Sequence, residues 1–153
     1  MQLELDFLKY QSKLRITRSE ENTFVFDPIR KKEVVMTPEE LLRQLVLQFL
    51  IEEKKYPLNR IRSEYGIEVN GLKKRCDIVV FDKNLKPWLL IECKSPKVKL
   101  SLSTFEQAAR YNLKLKAPFL AISNGLCTIC ARLDFEKEGF EYLPGFPDLA
   151  SNS

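Results

Sequence analysis

"CDIVVFDKNLKPWLLIECKSP", residues Cys76 to Pro96, carries two apolar runs, CDIVVF and WLLIEC, on either side of a turn-like DKNLKP. The runs read as neighbouring strands of a hairpin. Their near-continuous apolarity fits a central sheet covered by helices. Charge sits at the open end: Asp77 begins the first strand, and Glu92 and Lys94 close the second. Side chains alternate along a strand, so Glu92 and Lys94 share one face. Asp77 lies beside them if the two strands pair antiparallel. Two carboxylates about 4 Å apart repel by roughly 4 kcal/mol at an effective dielectric of 20. A fold that keeps them together needs a compensating cation. Mg²⁺ takes oxygen ligands, and Asp77, Glu92 and the Cys93 backbone carbonyl offer half a shell that water completes. Mn²⁺ accepts the same donors. Lys94 is placed to orient or help deprotonate an attacking water, or to stabilise developing negative charge. The set suits in-line attack on a phosphodiester. The plain alternative is a Glu-Lys pair satisfied by solvent at a sheet end.

Working outward, SEYGIEV (Ser63 to Val69) alternates, and Asn70-Gly71 marks a two-residue turn into the strand that carries Asp77. TPEELLRQLVLQFLIEEKK gives the clearest helix start. Thr37 fits the N-cap, Pro38 the first helical position, and Glu40, three residues after Thr37, the acidic position of a capping box. Leu42, Leu45, Val46, Phe49 and Leu50 form an apolar stripe, and the helix is expected to end near Lys54 or Lys55. Residues 1–36 read as a β-rich extension with strands at Lys13 to Thr17, Thr23 to Asp27 and Glu33 to Met36. Downstream, SLSTFEQAARYNLKLK reads as a second helix, with Ser103 as N-cap and Glu106 three residues on. APFLAISNG and TICARLDF read as a last strand pair around Asn124-Gly125. Residues 37–136 thus form the core of a single domain, and 144–153 a tail with little to pack.

Composition narrows the chemistry. A chain of 153 residues suits one domain, and 44% hydrophobic with 30% charged residues marks an ordinary globular protein. The net charge of +4 is a mild bias toward anionic partners. Histidine is absent. That removes Ser-His-Asp and Cys-His nucleophilic sites, histidine-ligated zinc and histidine general bases. Carboxylates and lysine, with a hard divalent cation, are what an enzyme of this composition has left. No apolar stretch approaches the ~18 residues of a membrane span. MQLELDFLKY is acidic and lacks a signal-peptide core. The expectation is a cytoplasmic protein with no membrane partner and four reduced cysteines.

At these residues the sequence resembles a known family. An Asp followed fifteen positions later by Glu-x-Lys, after an acidic helix and before another helix, looks like the PD-(D/E)xK nuclease superfamily. More closely, FDPIRKKEVVMTPEELLRQ, RCDIVVFD, LLIECKSP and QAARY, in that order, resemble the N-terminal domain of the R subunit of type I restriction enzymes, in particular its short free-standing relatives. The resemblance implies an α/β fold: a restriction-endonuclease-like core whose central mixed sheet is flanked by helices. It implies Mg²⁺-dependent DNA cleavage, DNA as a partner, and association with a larger motor or specificity subunit or another protein. By the same resemblance Asp77 and Glu92 match the metal-binding carboxylates, Lys94 the catalytic lysine, and Gln107 and Tyr111 a Q-x-x-x-Y element. Those last two stand four apart on one helix face. The superfamily often adds a carboxylate from the first helix, for which Glu39 and Glu40 compete. By helical angle Glu39 borders the apolar stripe and Glu40 points further out, toward the capping role. Cys76 stands where the superfamily's name has proline, a position that is not a ligand.

The basic residues Lys73, Lys74, Arg75, Lys97, Lys99, Arg110, Lys114 and Lys116 flank the site in sequence. A solvated surface accounts for them. If Lys73, Lys74, Arg75, Lys97, Arg110 and Lys114 converge in space, they are DNA-phosphate contacts whose binding weakens with salt. Cys127 and Cys130 have zinc-like spacing but sit three apart in a strand, facing opposite sides, and read as free cysteines. Phe24, Phe26 and Trp88 read as core. No phosphate-binding G-x-x-x-x-G-K loop occurs and the chain has no room for a motor. A non-catalytic DNA-binding or assembly module that keeps the fold is therefore the alternative function.

Overall fold

The alternation in TFVFD builds the first sheet. In the computed structural model, which describes residues 2–149, β1 (Ile16–Arg18), β2 (Thr23–Asp27) and β3 (Lys32–Val35) pair antiparallel in that order. Val25 and Asp27 are buried, while Phe24 and Phe26 face the half-exposed side, where Arg15 lies over the Phe26 ring. The two phenylalanines are therefore not core, because the period of two gives the inner face to Val25. Lys13, expected to open the first strand, instead ends a 3₁₀ turn over Leu8–Lys13, and β1 begins at Ile16. The turn's flanking Phe7 and its Tyr10 pack edge-on against Phe49.

α1 (Pro38–Glu52) starts as its sequence dictates: Thr37 is the N-cap and its side chain accepts from the Glu40 N–H. The helix is buried beyond its apolar stripe. One side packs on the central sheet, and Phe7, Tyr10 and Phe146 close over Phe49. Residues 144–149 therefore do pack: Phe146 is buried and the Tyr56 hydroxyl donates to the Pro147 carbonyl. Residues 150–153 of the expected tail lie outside the described residues.

The central sheet follows in sequence order: β4 (Ile61–Val69), β5 (Leu72–Phe81), β6 (Pro87–Cys93), β7 (Phe119–Ser123), β8 (Thr128–Asp134) and β9 (Gly139–Leu143). Asn70 and Gly71 both take positive φ, +52° and +78°, the geometry of a two-residue hairpin turn that follows strand twist. Among the described residues only β6 and β7 pair parallel, and α2 (Leu102–Leu115) makes the crossover between them. The fold is thus mixed α/β, a six-stranded mixed sheet with helices and an N-terminal antiparallel sheet. Ile78, Val80, Leu89 and Ile91 face α1, while Val79, Leu90, Leu120 and Ile122 face Phe105 and Ala108 of α2.

The cap of α2 and the last strand also depart from the sequence expectation. The N-cap of α2 is Ser101, not Ser103: Ser101 and Thr104 exchange side-chain to backbone hydrogen bonds, so the capping box forms two residues earlier and Glu106 is free of that role. β9 was not foreseen. Its turn carries no Asn-Gly signal and relies on Asp134 accepting from the Glu136 and Lys137 N–H groups, with Glu138 at φ +53°.

Candidate active site

The β5–β6 ladder reaches Ile78 opposite Ile91 and stops there. Beyond it β6 stays with β7, Cys93 pairing with Ser123, and the Cys93 N–H donates to Asp77 Oδ2 at 2.8 Å. The Asp77 side chain thus bridges the point where the two strands part. Its Oδ1 accepts from Arg43 Nη2 of α1 at 2.9 Å. Lys94 Nζ lies 3.2 Å from Glu92 Oε2.

Asp77, Glu92 and Lys94 line one cleft of about 250 Å³, together with Gln107 and Tyr111 from α2 and Lys74, Arg75 and Cys76 from β5. Elements distant in sequence meet here because the crossover helix returns across the end of β6. A neighbouring cleft of about 620 Å³ shares Gln107 and Tyr111, adds Arg110 and Lys114, and is walled by the hairpin tip at Glu68, Val69 and Asn70. Lys74 Nζ stands 5.9 Å from the Tyr111 ring centroid, a cation–π contact that joins hairpin to helix. Lys73 faces solvent opposite Glu68, and Lys97 is exposed in the turn after β6; neither lines these two clefts.

The helix carboxylate reverses the helical-angle expectation. Glu39 is exposed and Glu40 is buried. The cap uses the Glu40 N–H, which leaves its carboxylate to turn inward and accept from Arg30, Arg43 and Gln44. Glu40 reaches Asp77 only through Arg43.

Arg43 and Glu64 escaped the sequence reading. Arg43 sits between Leu42 and Gln44 on what looks like a polar helix face. Nothing in the spacing shows that Glu64 and Asp77 cover it. Glu64 Oε1 lies 2.7 Å from Arg43 Nη2, and Arg75 holds its other oxygen. Burial opposes the Arg43 charge, but Glu40, Asp77 and Glu64 more than offset it and raise its pKa. Burial would likewise raise Glu64, yet the Arg75 hydrogen bond and the Arg43 charge bring it below the usual carboxylate value.

The donor chemistry suits a hard cation. Burial, with the Glu92 and Asp77 charges behind it, pushes the Cys76 thiol up to about 12, and burial holds Cys93 well above its ordinary value. Both thiols are protonated at neutral pH, so Asp77 and Glu92 leave the cleft an oxygen-only anionic set. Among the described residues no three His, Cys, Asp or Glu side chains gather closely enough to hold a metal. Water and backbone oxygen would have to complete any shell. All four cysteines are free, and Cys127 is the one partly exposed. A thiol reagent at neutral pH is expected to label Cys127 and to leave Cys76, Cys93 and Cys130 intact until denaturant is added, as read by mass spectrometry.

The family model of the type I restriction enzyme R protein N terminus matches residues 38–147. The chain belongs to this family. No curated protein matches it. The family segment of this R-protein N-terminal domain covers α1, the central sheet and every residue of the cleft, while β1–β3 precede it. Among the described residues no helix is long and apolar enough to cross a membrane.

Proposed function

We propose that this R-protein N-terminal domain is a divalent-metal-dependent nuclease domain that hydrolyses DNA phosphodiester bonds. The observation that carries the reading is the convergence of Asp77, Glu92, Lys94, Gln107 and Tyr111 on one cleft from three separate elements. Asp77 and Glu92, with the Cys93 carbonyl, would hold Mg²⁺ or Mn²⁺; when bound, the cation would supply Lewis-acid stabilisation of charge on the phosphoryl oxygens. Asp77 is fixed for that task by the Arg43 and Cys93 donors. Lys94, held near Glu92, donates to developing negative charge or orients an attacking water. Gln107 and Tyr111 donate to a phosphate from the α2 wall. Arg110 and Lys114 extend the cationic lining into the larger cleft, which supports a DNA backbone running between α2 and the β4–β5 hairpin.

The test is cleavage of plasmid and linear DNA with and without Mg²⁺, comparing wild type with Lys94→Ala. Loss of the lysine is expected to cost about 10²–10⁴-fold in rate, the usual range for a positioned proton-transfer group. Cleavage that survives at wild-type rate in a folded Lys94→Ala protein sinks the mechanism. Arg110→Ala combined with Lys114→Ala is expected to weaken DNA binding for all sequences and to shallow the log–log salt slope by about 2, one per phosphate contact. An unchanged slope in fluorescence anisotropy removes α2 from the DNA path.

One observation favours a second reading, a DNA-binding or assembly module that does not cut. Arg43 already occupies Asp77 Oδ1, and among the described residues no third acidic side chain joins Asp77 and Glu92 in the cleft. Salt-dependent DNA binding without Mg²⁺-dependent turnover is its signature.

A further inference from the structure

Arg43 stands where three carboxylates meet. Its Nη1 donates to Glu40 Oε1 at 2.9 Å, and its Nη2 lies 2.7 Å from Glu64 Oε1 and 2.9 Å from Asp77 Oδ1. The side chain is only 7% exposed, and its buried Nε makes no hydrogen bond. Carboxylates alone therefore set the orientation of the guanidinium. Like charges gathered around one group repel, and they stay together only while a cation stands between them.

The backbone is bent to the same end. Glu64 takes φ +57° between two regular pairs, Ser63 with Ile78 and Tyr65 with Cys76, a left-handed conformation that strains a glutamate in mid-strand. The bend sits opposite Asp77, and the Glu64 carboxylate goes to Arg43. Glu40 is equally committed: Oε1 also accepts from Arg30 at 2.8 Å, and Oε2 accepts from Gln44 at 3.1 Å.

We infer that Arg43 is the fixed cation of this site, a positioning residue that holds Asp77 as a second metal ion would. Glu40 is then the anchor of that arginine and not a ligand of the divalent cation. The statement rests on the proposed metal reading only for the cation at Asp77 and Glu92. Without the guanidinium, Glu40, Glu64 and Asp77 face a gap that lacks its positive charge. Those three carboxylates stand too far apart to coordinate one bare ion together, so the gap would take a hard cation with its water shell, the carboxylates accepting from the bound waters.

Mn²⁺ binding to wild type, Arg43→Ala and Arg43→Lys, measured by calorimetry and by the free-ion EPR signal in the absence of DNA, tests this. Arg43→Ala is expected to bind one more Mn²⁺ per chain than wild type and to gain more in melting temperature when Mn²⁺ is added. Arg43→Lys is expected to keep the wild-type count, because its ammonium supplies the charge. An unchanged or lower count in Arg43→Ala overturns the inference. If Arg43→Ala does not fold in chelator, refolding is the readout: recovery in Mn²⁺ supports the fixed-cation role, and failure in Mn²⁺ overturns it. The wild-type count reports separately on the proposed function. A count of zero sinks the metal reading, whereas a gain of one in Arg43→Ala upholds the role of Arg43 regardless.

Discussion

Asp77→Asn is expected to lower Mg²⁺-dependent DNA cleavage by about 10³-fold, equivalent to roughly 4 kcal/mol of transition-state stabilisation. The substitution keeps size and shape, so the fold should survive while the charge goes. Two contacts make the effect large. Oδ2 accepts from the Cys93 N–H and Oδ1 from Arg43, and an amide can reproduce only one of these acceptors. The variant amide nitrogen would then face a donor, and the side chain would turn from the position that presents it to the cleft. Metal affinity should fall with the rate, so raising Mg²⁺ should recover part of the activity. A rate within tenfold of wild type at matched Mg²⁺, in a protein whose circular dichroism is unchanged, would show that Asp77 is a structural acid. Glu92→Gln separates the ligand role from the pairing role. It breaks the ion pair with Lys94 without touching Arg43. Equal losses in the two variants point to one shared cation. A loss confined to Asp77→Asn points to the Arg43 network as the sensitive part.

The central hairpin was legible because its signals are local. Asn70-Gly71 fixes the β4–β5 turn, and the continuous apolar runs of β5 and β6 could only be buried on both faces. Asp77, Glu92 and Lys94 stood out by being charged inside those runs. The α2 pair was legible only through a motif, since Gln107 and Tyr111 four apart describe many helices. What the sequence did not disclose are the groups whose role depends on a distant partner. Arg43 and Gln44 look like an ordinary polar helix face until β2, β4 and β5 are placed against them. The choice between Glu39 and Glu40 failed for the same reason. Helical angle measured each residue against the apolar stripe, but Glu40 is buried by arginines rather than by leucines. Phe146 carried no periodic signal either; its burial depends on the aromatic cluster around Phe49.

Asp27→Ala is expected to cost about 3–5 kcal/mol of folding stability at pH 7, the range for removing one partner of a buried ion pair. Asp27 has no exposed surface. Its Oδ1 accepts from the Ile29 and Arg30 N–H groups at 2.7 and 2.9 Å, and its Oδ2 from Arg30 Nε at 2.7 Å and Gln44 Nε2 at 3.1 Å. Truncation leaves these donors without their acceptor and lets Arg30 pull free of Glu40. Burial alone would raise the Asp27 pKa, yet the Arg30 and Ile29 hydrogen bonds and the Arg30 charge outweigh it and lower the value. A carboxyl whose folded pKa is depressed contributes stability that is present above its unfolded value near 3.8 and is lost as pH falls through the folded one. Urea melts of wild type and Asp27→Ala should therefore differ most at neutral pH, begin to narrow near 3.8 and draw together as pH falls through the lower folded pKa. Glu21→Gln, at an exposed position, is the control and should shift stability by less than about 0.5 kcal/mol. A pH-independent difference would mean that Asp27 acts through packing alone. A difference under 1 kcal/mol would mean that β1–β3 dock without it. Because Arg30 links Asp27 to Glu40, and Glu40 links to Arg43 and Asp77, the same variant should also slow cleavage at temperatures where it is fully folded. That loss would separate a sheet that merely packs beside the family segment from one that holds its site in register.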